Sequence, residues 1–146
     1  MNHSLYPKIL VFLQFTIIGL MVLSSKNFLS SIPSVSIFII GLLFGLLAIN
    51  HNKLGNFNIQ PKIKEGSKLI TSGIYAYIRH PMYTSVNIMM LAFFISTPSF
   101  LEGFLFIALI FVLMLKAKRE ESLWLEHDEA YRYYKESTKL FIPYIL

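Results

Sequence analysis

Cysteine is absent from the chain, which removes disulfides, thiolate metal ligands and cysteine nucleophiles at one stroke. Charge is scarce. Acidic residues number eight against thirteen Lys and Arg, and charged residues of all kinds make up 14% of the sequence. No GxGxxG, P-loop, GxSxG or HExxH pattern occurs, so nucleotide-fold, serine-hydrolase and zinc-hydrolase readings have nothing to stand on. His127 and Asp128 adjoin without a further ligand at metal spacing, and no metal site is expected. Internal repeats and low-complexity segments are also missing.

What the chain has instead is hydrocarbon. With 55% hydrophobic residues in 146, a soluble domain would be left with too much apolar surface in water. The expected class is an all-α integral membrane protein, a single domain over residues 1–146 with about four transmembrane helices. The apolar runs place spans near residues 7–25, 32–50, 80–96 and 99–117. Gln14 and Thr16 are the strongly polar interruptions of the first run, which lacks a small-residue cleavage site and reads as a span, not a cleaved signal. Pro33 opens the second run, where a missing N–H costs nothing. Gly41 and Gly45 give that run a GxxxG, which permits close helix packing. The third run is short for a hydrocarbon core of about 30 Å. Ser99 and Glu102 have capping-box spacing, which makes Glu102 a helix-start residue.

The basic charge has a topological explanation. With a cytoplasmic N-terminus, four spans put Lys8, the loop cations Lys53, Lys62, Lys64, Lys68 and Arg79, and the tail cations Lys116, Lys118, Arg119, Arg132, Lys135 and Lys139 on one side. Only Lys26 stays on the other. This is a positive-inside distribution, with membrane lipids as its natural partners. It gives no reason to invoke nucleic acid, nor is an obligate protein partner evident. The localisation it fits is a bacterial inner membrane with both termini cytoplasmic. After the fourth run, Lys116, Glu120, Leu123 or Trp124, His127, Tyr131 and Tyr134 share one helical face. That run is expected to continue as an amphipathic C-terminal helix to about residue 135.

Between the second and third runs lies a polar connecting loop that ends in Leu69–Tyr83, LITSGIYAYIRHPMY. From Gly73 onward, 11 residues hold glycine, arginine, histidine, proline and three tyrosines. Read blandly, His80 is an interfacial histidine bonded to a carbonyl, and Glu120–Glu121 is a solvated acidic pair. Position favours more. Pro81 starts a helix whose N-terminus attracts a carboxylate, and tyrosine faces suit an adenine ring or a sulfonium. Four spans bring Glu120–Glu121 to the same membrane face as His80. The site is expected from residues 56–83 and 116–143.

These residues resemble a known family. The Leu69–Tyr83 stretch with its Arg79-His80-Pro81-x-Tyr83, the Glu120–Glu121 pair, Tyr131, Tyr134 and Ile142–Pro143 are similar to the isoprenylcysteine carboxyl methyltransferases and to the related bacterial and phospholipid methyltransferases. Those are integral membrane enzymes that use S-adenosyl-L-methionine. The resemblance runs from about Asn56 to the C-terminus, and it implies methyl transfer to a lipophilic or small acceptor: a prenylcysteine-like carboxylate, a phospholipid amine or a thiol. It further implies that Gln60, Lys68, Leu69, Ile70, Tyr75, His80, Pro81, Met82 and Tyr83 hold the cofactor. The family's cofactor glutamate falls on Glu120 or Glu121, and the helix face favours Glu120. Lys116 stands where the family has an arginine at the reaction centre; with Arg119 and Glu121 it makes up the implied catalytic set. Lysine keeps the charge but loses the bidentate fork. Ser85 replaces a usual glycine after the motif, and Asp128 stands near a common Phe-Gly. Competing readings are an NADPH-dependent membrane reductase of the sterol-reductase type, which shares a histidine–tyrosine motif and an Ile-Pro-Tyr ending, and a non-enzymatic membrane scaffold.

Overall fold

The computed structural model describes residues 5–52, 60–61, 66 and 68–143. Five α-helices follow in order: α1 Leu5–Ser24, α2 Ile32–Asn52, α3 Pro81–Ser96, α4 Phe100–His127 and α5 Ala130–Ser137. A single 3-10 turn, Gly73–Ala76, precedes α3. Among the described residues there is no strand, only an isolated parallel bridge between Ile78 and Lys139. The all-α class is as expected. α1, α2 and α4 are long and apolar enough to cross a membrane, whereas α3, at 16 residues, is a shorter apolar helix.

One feature departs from the sequence reading. α4 continues past residue 117, as expected, but stops at His127, and the rest of the amphipathic tail is a separate helix. The break is local chemistry: Asp128 is extended (φ −144°, ψ 116°), and its Oδ1 accepts a hydrogen bond from the Ala130 N–H at 2.9 Å. Asp serves better at such a turn than inside a helix, because its short side chain competes for backbone donors.

Packing follows the small residues. α2 lies chiefly against α3, and α1 against α4, with α3 also touching α4 and α1. Gly41 and Gly45 form the α2 face that α3 meets. A Cβ on Gly41 would sit 2.8 Å from Met89 Cγ and 2.9 Å from the Met89 nitrogen, and one on Gly45 would sit 2.5 Å from Ser85 Oγ. Ser85 Oγ in turn donates to the Gly41 carbonyl at 2.7 Å. The GxxxG and the serine that replaces a glycine are therefore two halves of one close crossing.

The core shared by α1, α3 and α4 is built from Leu10, Met21, Met90, Leu109 and Leu113, extended by Phe28 stacked on Phe93 at 4.4 Å. Outward faces carry Phe12, Phe15 and Leu23 on α1, Ile40, Leu43 and Leu47 on α2, and Phe104, Ile107 and Phe111 on α4, all exposed. Apolar surface of this extent belongs in lipid. At the bundle end away from His80, Ser24 Oγ donates to Glu102, Ser25 and Ser96 hydroxyls meet at 2.6 Å, and Ser99 Oγ accepts from the Glu102 N–H at 3.1 Å. Glu102 is thus a helix-start residue, as its spacing indicates.

Candidate functional site

The approach to α3 is fixed by one glycine. Gly73 has φ +60°, and a Cβ there would lie 1.9 Å from His51 Nε2, so neither the backbone nor the space admits a side chain. Beyond this turn the chain pairs with the tail. Arg79 N–H donates to the Lys139 carbonyl at 2.8 Å, His80 N–H to Leu140 at 3.1 Å, and Lys139 N–H returns to Tyr77 at 3.1 Å. Tyr134 adds a hydroxyl bond to the Tyr75 carbonyl at 2.7 Å, and Thr84 Oγ1 donates to Phe141 at 2.8 Å. Segments more than 50 residues apart are stitched into one layer over the His80 end of the bundle.

Two adjacent glutamates on α4 face different partners, because successive helical residues point about 100° apart. Glu121, 5% exposed, takes Arg79 Nε at 2.5 Å and Lys135 Nζ at 2.9 Å. The same guanidinium donates through Nη1 to the Lys135 carbonyl at 3.0 Å and to the Thr138 carbonyl. Glu120 is more open, with 22% of its side chain exposed, and accepts from the Tyr83 hydroxyl while lying 3.4 Å from His80 Nδ1. His80 stacks on Tyr83, ring centres 5.4 Å apart and planes 4° from parallel.

His80 Nε2 is 3.6 Å from Glu121 Oε1, too long for a hydrogen bond, and it is a buried atom with no hydrogen-bond partner among the described residues. Burial would push this imidazole down, but the two glutamates more than offset that and hold it above its ordinary value. Burial, and then the charge of Glu120, push the Tyr75 hydroxyl up to about 12, so it stays a protonated donor. The start of α3 is less open than the sequence suggests. Pro81 has no N–H, and the Tyr83 and Thr84 amides turn back on the His80 carbonyl at 3.0 and 3.1 Å.

Lys116 completes the centre. It is 2% exposed, donates to Gln14 Oε1 at 2.5 Å, and lies 5.1 Å from the centre of the Tyr83 ring. A continuous string thus runs from Gln14 on α1 through Lys116, Tyr83 and Glu120 to His80. Of the other residues singled out, Pro81 is buried and Met82 half-buried in the first turn of α3, and Leu69 and Ile70 are half-buried in the approach. Lys68 is exposed, Gln60 is half-buried beside a buried Pro61, and Arg119 is half-buried; none of these three enters the pairings above. Trp124 stacks on Tyr131 at 6.0 Å and so belongs to the α4–α5 junction.

Sequence reasoning missed Gln14, and it gave Arg79 and Lys135 no partner. Gln14 had a signal: a strongly polar residue in a transmembrane run faces the bundle interior as a rule. Arg79 had none, since its partner lies 42 residues away.

A family profile described as phospholipid methyltransferase matches residues 29–132, which takes in α2, α3, α4 and every residue of the site except Gln14 and the last tail contacts. No curated protein matches the chain. Among solved structures, the chain is similar to the eukaryotic intramembrane Ras methyltransferase, an isoprenylcysteine carboxyl methyltransferase, with 25% identity and a TM-score of 0.63. That alignment covers 99% of this chain and 55% of the other, so the chain spans about half the length of this relative. The fold, the helical hairpin that brings His80 to Glu120, and a profile match over most of the sequence agree: the chain belongs to the phospholipid methyltransferase family.

Proposed function

We propose that the protein is a membrane-embedded methyltransferase that uses S-adenosyl-L-methionine and acts on a lipophilic or small acceptor at the cytosolic face of a bacterial inner membrane. The observation that carries this reading is the convergence of His80, Tyr83 and Glu120 from two segments that lie inside the matched family span.

The donor set fits the cofactor. Glu120, partly open and fixed by Tyr83, suits the hydroxyls or amino group of a nucleoside. The His80 imidazole, with a buried Nε2 lacking a hydrogen-bond partner among the described residues, suits the amino-acid carboxylate. Tyr75 and Tyr83 offer aromatic faces and protonated hydroxyls. Gln60, Lys68, Leu69, Ile70, Pro81 and Met82 are assigned to the same wall by the family resemblance. When bound, S-adenosyl-L-methionine supplies an electrophilic methyl whose C–S bond breaks as the bond to the acceptor forms.

The chain's part is to position the reactants and keep water out. Because its glutamates hold His80 toward the imidazolium, it is better placed as a positive partner than as a base. A carboxylate or thiolate acceptor needs no base; for an amine, Glu120 is the better-placed proton acceptor. Glu121, committed to Arg79 and Lys135, holds the two halves of the site together, and Lys116 lies where an acceptor's charge would be read.

Thermal shift of the purified protein with S-adenosylhomocysteine and, separately, NADPH tests this. Stabilisation by S-adenosylhomocysteine, weakened in His80→Ala and Glu120→Ala, is expected. Stabilisation by NADPH alone would point to a reductase, and no response to either to a scaffold.

A further inference from the structure

The Lys116 ammonium raises a question that the cofactor site does not answer. It is 2% exposed, yet none of the ion pairs among the described residues includes it. A buried cation is costly unless it is paired. Among the described residues it has one hydrogen bond, to Gln14 Oε1 at 2.5 Å, and the face of Tyr83 at 5.1 Å. An ammonium carries three N–H donors. Gln14 takes one, and the ring offers electrostatic attraction without a lone pair. Glu120, the nearby carboxylate, is engaged by the Tyr83 hydroxyl and faces His80.

Gln14 is itself only 7% exposed on α1, and α1 lies outside residues 29–132 that match the family profile. The residue that fixes Lys116 therefore comes from a helix that supplies none of the cofactor contacts proposed above. Acceptor reading and cofactor binding are separable in this arrangement.

We propose that Gln14 is a positioning residue that sets acceptor specificity: by holding Lys116 through one N–H, it aims the remaining donors at an anionic group, a carboxylate or a phosphate, on the methyl acceptor. This rests on the methyltransferase reading of the His80–Glu120 site. Glutamine is suited to the task because its oxygen orients the ammonium without neutralising it. A glutamate at the same place would keep the bond and cancel the charge, leaving the site without a net attraction for an anion.

The test is equilibrium binding to the full-length protein in detergent, with S-adenosylhomocysteine present. Two matched probe pairs separate the sources of the anion: N-acetyl-S-farnesylcysteine against its neutral amide, and a short-chain phosphatidic acid against the corresponding diacylglycerol. The wild type is expected to prefer the anionic member of at least one pair by about tenfold or more, as for a desolvated charge contact. Gln14→Glu should bring that ratio close to one, and Gln14→Leu should lower it several-fold, with S-adenosylhomocysteine affinity unchanged in both. Lys116→Met, which keeps the bulk of the side chain, should lose the preference as Gln14→Glu does and guards against a folding defect in the latter.

An undiminished preference in Gln14→Glu overturns the proposal, as does a wild type that fails to distinguish anionic from neutral probes. If the wild type does not bind S-adenosylhomocysteine, the methyltransferase reading itself has failed, and this inference falls with it.

Discussion

Arg79 Nε lies 2.5 Å from Glu121 Oε1, with both side chains almost wholly buried. The pair ties the turn before α3 to the last two turns of a 28-residue helix, and Lys135 ties the same carboxylate to α5. The turn before α3, the end of α4 and α5 are thereby held in register around His80. This division of labour frees Glu120, one residue away, to face the open side of the site.

Breaking that pair should loosen the whole layer. Arg79→Leu leaves the buried Glu121 with Lys135 and the more distant His80 imidazole, so the expected loss is at most about 3 kcal/mol, the lower end of the range for orphaning one partner of a buried pair. Arg79→Leu with Glu121→Leu should cost less than the two single changes added together. Denaturation of the four proteins in one detergent gives the coupling; strict additivity would show that the contact contributes nothing.

Stability should also depend on pH through His80. Its two glutamates hold its folded value above the ordinary one, so the stabilisation is fully present below about 6.5, the unfolded value, and is lost as pH rises through the folded value. The melting temperature of the wild type should therefore fall between about pH 6.5 and mildly alkaline pH by more than that of His80→Gln. Parallel curves for the two proteins would remove His80 as the titrating group.

The α2–α3 crossing makes a graded prediction. Gly41→Ala drives a methyl group against the backbone nitrogen of Met89, which cannot move without shifting the helix; Gly45→Ala meets chiefly the Ser85 hydroxyl, which can rotate, with Ser85 Cβ at 3.3 Å. Gly41→Ala is expected to destabilise by about 1–3 kcal/mol, in the range of overpacking, and Gly45→Ala by less. Ser85→Gly should cost about 1 kcal/mol through loss of the bond to the Gly41 carbonyl. Melting curves that rank Gly45→Ala as the worse of the two glycine changes would contradict the packing.

How far this was legible in the sequence depends on range. Composition and apolar runs were enough for the class and for the limits of α1, α2 and α3, since each depends on its own residues. Ser99–Glu102 and Pro81 were readable because caps are local. The break at Asp128 was missed because the helical periodicity of Glu120, Trp124, Tyr131 and Tyr134 continues across it, although an aspartate at that point is a local signal against a continuous helix. The helical face favours Glu120 over Glu121 as the cofactor contact. Their actual partners, Tyr83 and Arg79, lie 37 and 42 residues away and could not be read from spacing. Gln14 was seen as an interruption, but its partner is 102 residues distant.

The last prediction concerns the side of the membrane. Ile78 bridges Lys139, so the turn before α3 and the tail after α5 lie at the same end of the bundle, while the α1–α2 connection lies beyond the far end of α1. The chain has no cysteine, so any introduced one is the only thiol. Ser72→Cys and Glu136→Cys, at exposed positions, should react with an impermeant maleimide only when the cytosolic face is accessible, and Asn27→Cys, also exposed, only from the opposite face. The charge distribution is the physical reason: the expected topology puts twelve of the thirteen Lys and Arg on the side of Ser72 and Glu136, and only Lys26 on that of Asn27. Labelling of Ser72→Cys and Glu136→Cys from opposite faces would break the composite site altogether. Labelling of both from the outer face would leave the site intact but turn it away from the cytosol, against the proposed use of S-adenosyl-L-methionine, which is made there.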